Sequence, residues 1–197
     1  MIYFDNAATT PIWQYPLGEN SYNPSSPHLL GIAAERQLQQ NRVSLSVLLG
    51  CHDSELYFTS GGTESNNLAI LGFALAHSKR RTIVLAQPFE HPSILTPIKF
   101  AAERGFIQGL ITPISEWPNL ADKADIMLIC LSQVHHETGD ITDINAIKKS
   151  YPSAIIFVDG AQGFCKEPFI LGGNVDMYSF SAHKFHGPRR LRPWYFY

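Results

Sequence analysis

Apolar positions along the chain alternate between helix-spaced sets and short continuous runs. Ala34, Leu38, Leu45 and Leu48 mark one face of a helix that Gly50 is placed to end. Residues 55–60 read as a short strand leading into a Gly61-Gly62 turn, and Leu68, Leu71 and Leu75 line a second helix starting near Thr63. Residues 82–86 are strand-like. Residues 93–104 read as a helix closed by Gly105, with Pro97 expected in its first turn, where a missing N–H does no harm. The run 126–131 is apolar throughout, as a strand buried on both faces would be. Asp143 can cap a helix carrying Ile144 and Ile147, and 155–158 and 177–180 read as the last two strands. This alternation predicts an α/β fold, a mainly parallel (mixed) sheet covered by helices. In such sheets ligands sit at the carboxyl ends of strands, so the residues just after each strand carry the interest.

Composition narrows the classes without naming one. The chain has 197 residues, 45% hydrophobic and 16% charged, long enough for one sizeable core. A net charge of −2 gives no global field toward nucleic acid or anionic membrane, and the one basic cluster is Arg189, Arg190 and Arg192. Cys51, Cys130 and Cys165 form neither a disulfide framework nor a CxxC pattern, which fits a reducing, cytoplasmic setting. No apolar run reaches the ~20 residues of a membrane span, and residues 1–5 lack the features of a signal peptide. Residues 11–27, rich in Pro, Ser, Asn and Gly, read as a surface loop.

Three features fall at strand ends. Residues 60–65 (SGGTES) join a strand to a helix; two glycines admit a ligand to the backbone and the helix N-terminus attracts anions, as in a phosphate seat, though a Gly-Gly turn before a helix is commonly structural. Asp159 directly follows an apolar strand, where it could pair with a protonated pyridine nitrogen or, more simply, cap a following helix. Lys184 ends the stretch 179–184 (SFSAHK), where a partly desolvated amine could form a Schiff base and Ser181 and His183 could bind phosphate; a solvated loop lysine is the plainer alternative. The pair His135-His136 with Glu137 invites a metal reading, but adjacent strand residues face opposite ways, so no metal site is expected.

Taken together and in order, the stretches 4–11 (FDNAATTP), 23–26 (NPSS), 58–66 (FTSGGTESN), 90–91 (EH), 136–139 (HETG), 158–162 (VDGAQ), 179–184 (SFSAHK) and 187–188 (GP) resemble the NifS-like cysteine desulfurases of the class V aminotransferase family. The resemblance implies a pyridoxal-phosphate (PLP) enzyme that takes sulfur from L-cysteine, leaving alanine and passing a persulfide to an acceptor protein in iron–sulfur cluster assembly. It implies that Lys184 anchors PLP, Asp159 pairs with the pyridine nitrogen, Gln162 bonds the phenolic oxygen, and His91 stacks on the ring and moves protons. Gly62, Thr63, Ser181 and His183 would bind the phosphate. His136 stands where the family commonly has asparagine, beside the phenolic oxygen.

The resemblance also implies a homodimer about twice this length per chain, with the nucleophilic cysteine, the substrate-carboxylate arginine and a small C-terminal domain beyond residue 197. Residues 1–197 would then be a partial PLP-binding large domain, and 189–197 (RRLRPWYFY) an aberrant tail where the family continues with glycines and an apolar strand. The three cysteines read as packing residues. The expectation is an enzyme inactive as this chain alone. Alternatives are another class V aminotransferase or lyase, and a non-catalytic fragment.

Overall fold

The computed structural model describes residues 3–13, 22–78, 82–120, 125–168 and 174–187. The aberrant tail expected at 189–197, Pro188, and residues 14–21 of the expected loop lie outside the described residues. The chain divides into two units: one holds the described residues up to Gly61 and 182–187, the other those of Gly62–Pro168 and 174–181.

The second unit is built on a five-stranded parallel sheet. Strands β1 (Ile83–Ala86), β2 (Gln108–Ile111), β3 (Ile126–Ser132), β4 (Ile155–Asp159) and β5 (Met177–Ser179) lie in the order β2-β1-β3-β4-β5. All four pairings are parallel, so the sheet has no antiparallel member among the described residues. Edge strand β2 was not anticipated, because Gln108 and Gly109 break its apolar pattern and its side chains are only partly covered. The chain runs outward from β1 to β2 and returns to β3 on β1's other side, which makes the β1/β3 boundary a topological switch point. In register, Ser132 pairs with Asp159 and Asp159 with Ser179, setting three polar residues abreast at the strand ends.

Alternation along the buried strands feeds two cores. Val84, Leu128, Cys130 and Phe157 meet Ile70 and Phe73 of α2 (Gly62–Ala76) and Ile94 and Ile98 of α3 (Pro92–Glu103). Leu85, Ile129, Leu131 and Val158 meet Trp117 and Ile147, the latter from α4 (Ile144–Ser150). Asp143 caps α4 as expected, accepting the Ala146 N–H at 2.9 Å.

Two helices differ in detail from the pattern reading. In α2 the buried face is Asn66, Ile70, Phe73 and Ala74, while Leu68 and Leu75 are exposed. Two apolar stripes compete there, and the polar Asn66 disguises the one that wins. In α3, Pro92 takes the first position and Pro97 lies inside the helix, buried, where it cannot donate to the carbonyl four residues back. Gly105 follows in the left-handed region (φ 71°).

In the first unit, α1 (Leu29–Leu49) starts at His28, whose Nδ1 accepts the Gly31 N–H, and ends at Gly50 (φ 71°). Gly31 is required by a close approach, since a Cβ there would sit 2.2 Å from the Ser26 carbonyl oxygen. Leu49 rather than Leu48 is buried, because 3.6-residue spacing from Leu38 reaches 49 on its third turn. The strand expected at 55–60 does not form: Asp53–Glu55 is a 3₁₀ turn and 56–59 pairs with no strand among the described residues.

Candidate functional site

Within the second unit, the strand ends and the first turns of α2 and α3 converge on a polar cluster. Asp159 is buried; its Oδ1 accepts the Ala161 N–H at 2.9 Å and its Oδ2 accepts from Asn66 Nδ2 at 2.7 Å. No α-helix follows it among the described residues, so the helix-cap alternative does not hold; the carboxylate closes a turn and binds Asn66. That turn is pressed against β5. A Cβ on Gly160 would fall 2.0 Å from the Tyr178 ring, and one on Gly163 2.2 Å from Gln133 Oε1. The Tyr178 hydroxyl donates to Gln133 Oε1 at 2.6 Å, and burial, with the Asp159 charge second, pushes its pKa well up.

The start of α2 meets the residue after β5: Gly62 N–H donates to Ser181 Oγ at 2.9 Å, and a Cβ on Gly62 would come within 2.7 Å of that oxygen. Thr63 is exposed beside it on the first turn. Gln162 is half-buried, its Oε1 accepting from Lys166 Nζ at 3.1 Å.

At the switch point, His91 is the N-cap of α3. Its Nδ1 accepts the Ser93 N–H at 3.1 Å and lies 2.7 Å from Ser93 Oγ. The His91 ring meets His136 edge-on at 5.5 Å between centroids, and His136 lies 5.0 Å from His135. His136 Nδ1 is buried with no hydrogen-bond partner among the described residues. Burial, and then the neighbouring His135 and His91, hold its pKa below the usual imidazole range. Beneath them Glu90 is buried, its carboxylate accepting from Ser132 N (3.2 Å) and Ser132 Oγ (2.6 Å); burial pushes its pKa up against those bonds.

The second unit thus brings together Gly62, Ser181, Asp159, His91 and His136, with Thr63 and Gln162 on the same turns. His183 and Lys184 belong to the first unit. There, Thr10 N–H and Oγ1 both donate to the His183 carbonyl (2.8 and 3.0 Å), and Lys184 Nζ donates to the Ala7 carbonyl at 2.5 Å. His186 N–H donates to Thr10 Oγ1 at 2.5 Å. Residues 4–11 and 182–187, two separate sequence motifs, are therefore one hydrogen-bonded substructure.

Sequence reasoning missed Asn66, Ser93, Ser132 and Tyr178 as site residues. Asn66 and the Glu90 that Ser132 holds were inside quoted motifs; Ser93 and Tyr178 carried no signal beyond their proximity to one. Of the cysteines, Cys130 is fully buried in β3 and Cys165 is exposed rather than packed (φ 60°); burial pushes the thiol pKa up at all three. Among the described residues no cluster of three or more His, Cys, Asp or Glu forms a metal site, and no helix is long and apolar enough to cross a membrane.

Comparison with known proteins gives the relationships. The sequence profile of the family described as aminotransferase class-V matches residues 2–189. A NifS/IcsS protein homolog of Lactobacillus delbrueckii subsp. bulgaricus is 37% identical, over 97% of this chain and 54% of its own length. A cysteine desulfurase IscS of Buchnera aphidicola is 34% identical, over 96% and 52%. Among solved structures, a NifS-like protein superposes with a TM-score of 0.85 at 32% identity, over 95% of this chain and 56% of that one. SspA in complex with cysteine gives 0.84 at 29%, over 94% and 58%. The chain spans about half the length of the curated relatives it matches.

Proposed function

The chain belongs to the class V aminotransferase family, and from that premise we propose that it binds PLP as the cofactor-holding part of a cysteine desulfurase-type enzyme. The observation that carries this is the second unit's assembly of an α2 N-terminus tied to Ser181 with a buried Asp159 held by Asn66, one turn further along α2. These residues fit the cofactor. The first turn of α2 and the Ser181 hydroxyl, which accepts Gly62 N–H and keeps a proton to donate, suit a phosphate. Asp159, oriented by Asn66 and Ala161, suits a protonated ring nitrogen. His136, held neutral by burial, has an unpartnered Nδ1 to offer a ligand oxygen. The roles of Thr63, Gln162, His183 and Lys184 rest on their motifs, with Lys184 as the anchoring amine and His91 as the proton-handling ring. When bound, PLP supplies the electron sink for reaction at an amino-acid α-carbon.

L-Cysteine is the proposed substrate of the whole enzyme, supported by relatives described as cysteine desulfurases and by the SspA–cysteine complex. A homodimer, a sulfur-acceptor protein and a cytoplasmic setting belong to the same reading, the last supported by three unpaired thiols. This chain alone is proposed to be inactive: Cys130 is fully buried in β3, and the pKa is raised rather than lowered at all three thiols, so none is favoured as the thiolate that takes up sulfur. Titrating the purified chain with PLP tests the reading. We expect a new absorbance band near the visible edge, lost in Lys184→Ala, and no alanine or sulfide from L-cysteine. A folded wild-type chain that gives no band overturns the cofactor reading, and release of alanine and sulfide overturns the inactivity.

A further inference from the structure

Asn66 is fully buried on α2, on the face that packs against the sheet, and every one of its polar groups is spent inside the second unit. The amide faces Asp159 with its nitrogen and Ser179 with its oxygen. One amide N–H goes to Asp159 Oδ2 (2.7 Å) and the other to Ser93 Oγ (2.8 Å), while the carbonyl accepts from Ser179 Oγ (2.6 Å). His91 Nδ1 receives the Ser93 N–H and so carries no proton; the Ser93 hydroxyl, 2.7 Å away, therefore donates its hydrogen to the same nitrogen while its oxygen accepts from Asn66. With two donors on Nδ1, that nitrogen must carry the lone pair, and the neutral ring carries its proton on Nε2.

We propose that Asn66 is a positioning residue that couples Asp159 to His91 through Ser93, turning the Ser93 hydroxyl onto Nδ1 beside the Ser93 backbone N–H so that the two together hold His91 as the Nε2–H tautomer. The inference rests on the reading of Asp159 and His91 as cofactor residues, and deepens it: His91 meets a ligand with an N–H rather than a lone pair. In this relay of four buried or capping groups, all of complementary donor–acceptor sense, Asn66 supplies both donors that link Asp159 to the Ser93 hydroxyl. Asn66 acts through Ser93 and Asp159 and touches no reacting atom.

The test uses the 197-residue chain without cofactor, ¹⁵N-labelled, with long-range proton–nitrogen spectra of the histidine rings recorded where the rings are neutral. In wild type we expect His91 as a single Nε2–H tautomer. In Ser93→Ala and in Asn66→Ala we expect a mixture, and in the double variant no larger Nδ1–H share than in Ser93→Ala alone. A wild-type His91 with its proton on Nδ1 overturns the proposal without any variant being needed. So does a single Nε2–H tautomer surviving in Ser93→Ala, which leaves α2 intact if Asn66→Ala does not fold. An added effect of Asn66→Ala in the Ser93→Ala background shows a route other than the relay and also overturns it. PLP titration of the same samples reports separately: a protein with the expected tautomer and no PLP band loses the cofactor reading while the relay stands.

Discussion

Glu90 shows how one buried side chain can set a pH dependence for the whole fold. Burial is the largest influence on its carboxyl and raises the pKa; Asp159 adds to this, while the bonds from Ser132 and the nearby His135 oppose it. A carboxyl with a raised pKa in the fold contributes stability that is complete below the unfolded value, about 4.3 for glutamate, and lost as pH climbs through the folded value. Glu90→Gln mimics the protonated form, since its carbonyl can keep Ser132 N–H and its amide can face Ser132 Oγ. The variant should therefore match wild type in thermal unfolding near pH 4 and become the more stable of the two toward pH 8. A variant less stable than wild type at pH 8 would show that the ionised carboxylate is favoured there. The motif containing Glu90 was legible in the sequence, but its burial was not, because only the strand register brings Ser132 over it. Gly160 is a similar case: glycine in a motif is visible, while the Tyr178 side chain that leaves no room for a Cβ comes from β5; Gly163, just past the motif, is crowded in the same way by Gln133, the residue after β3.

At the scale of elements, long and strongly patterned segments were readable, and those whose partners lie far away were not. The buried runs of β3 and β4 and the capped helices α1 and α4 follow from periodicity and terminal residues. Strand β2 escaped notice because an edge strand needs less apolar cover, and the expected strand at 55–60 has β-favouring residues but no neighbour to pair with among the described residues. The substructure of residues 4–11 and 182–187 is more instructive, since its bonds join residues more than 170 positions apart and no period announces them. Thr10 is its buried centre, donating to His183 O and accepting from His186 N through one hydroxyl. Thr10→Val keeps the shape and strands the His186 N–H, a loss of about 1–3 kcal/mol. Amide exchange at His186 should quicken in Thr10→Val and return toward wild type in Thr10→Ser, which restores the hydroxyl. Unchanged exchange in Thr10→Val would mean that the backbone bonds from Thr10 and Trp13 hold the segment unaided.

At the scale of the whole molecule, the two units are unevenly furnished with apolar cover. The second unit buries both faces of its sheet, whereas α1 exposes Leu29 and Leu30 at its start and Val43, Val47 and Leu48 on its last turns. Arg36 and Gln40 lie on the line between Leu29 and Val43, so the exposed apolar side chains form two patches, one at each end of the helix. Exposed apolar patches of this kind favour contact with another apolar surface, and in a purified protein the available one is another copy. Substituting Leu29→Lys and Val47→Lys together breaks both patches with a residue that a helix accepts at least as readily as valine. The double variant should remain folded, with unchanged helical circular dichroism, and scatter less light than wild type at the same high concentration. The PLP band should be unaltered, because neither position belongs to the cofactor motifs. Equal scattering in the folded variant would place the source of any self-association outside α1, and a lost PLP band would show that these patches are tied to the cofactor-binding residues after all.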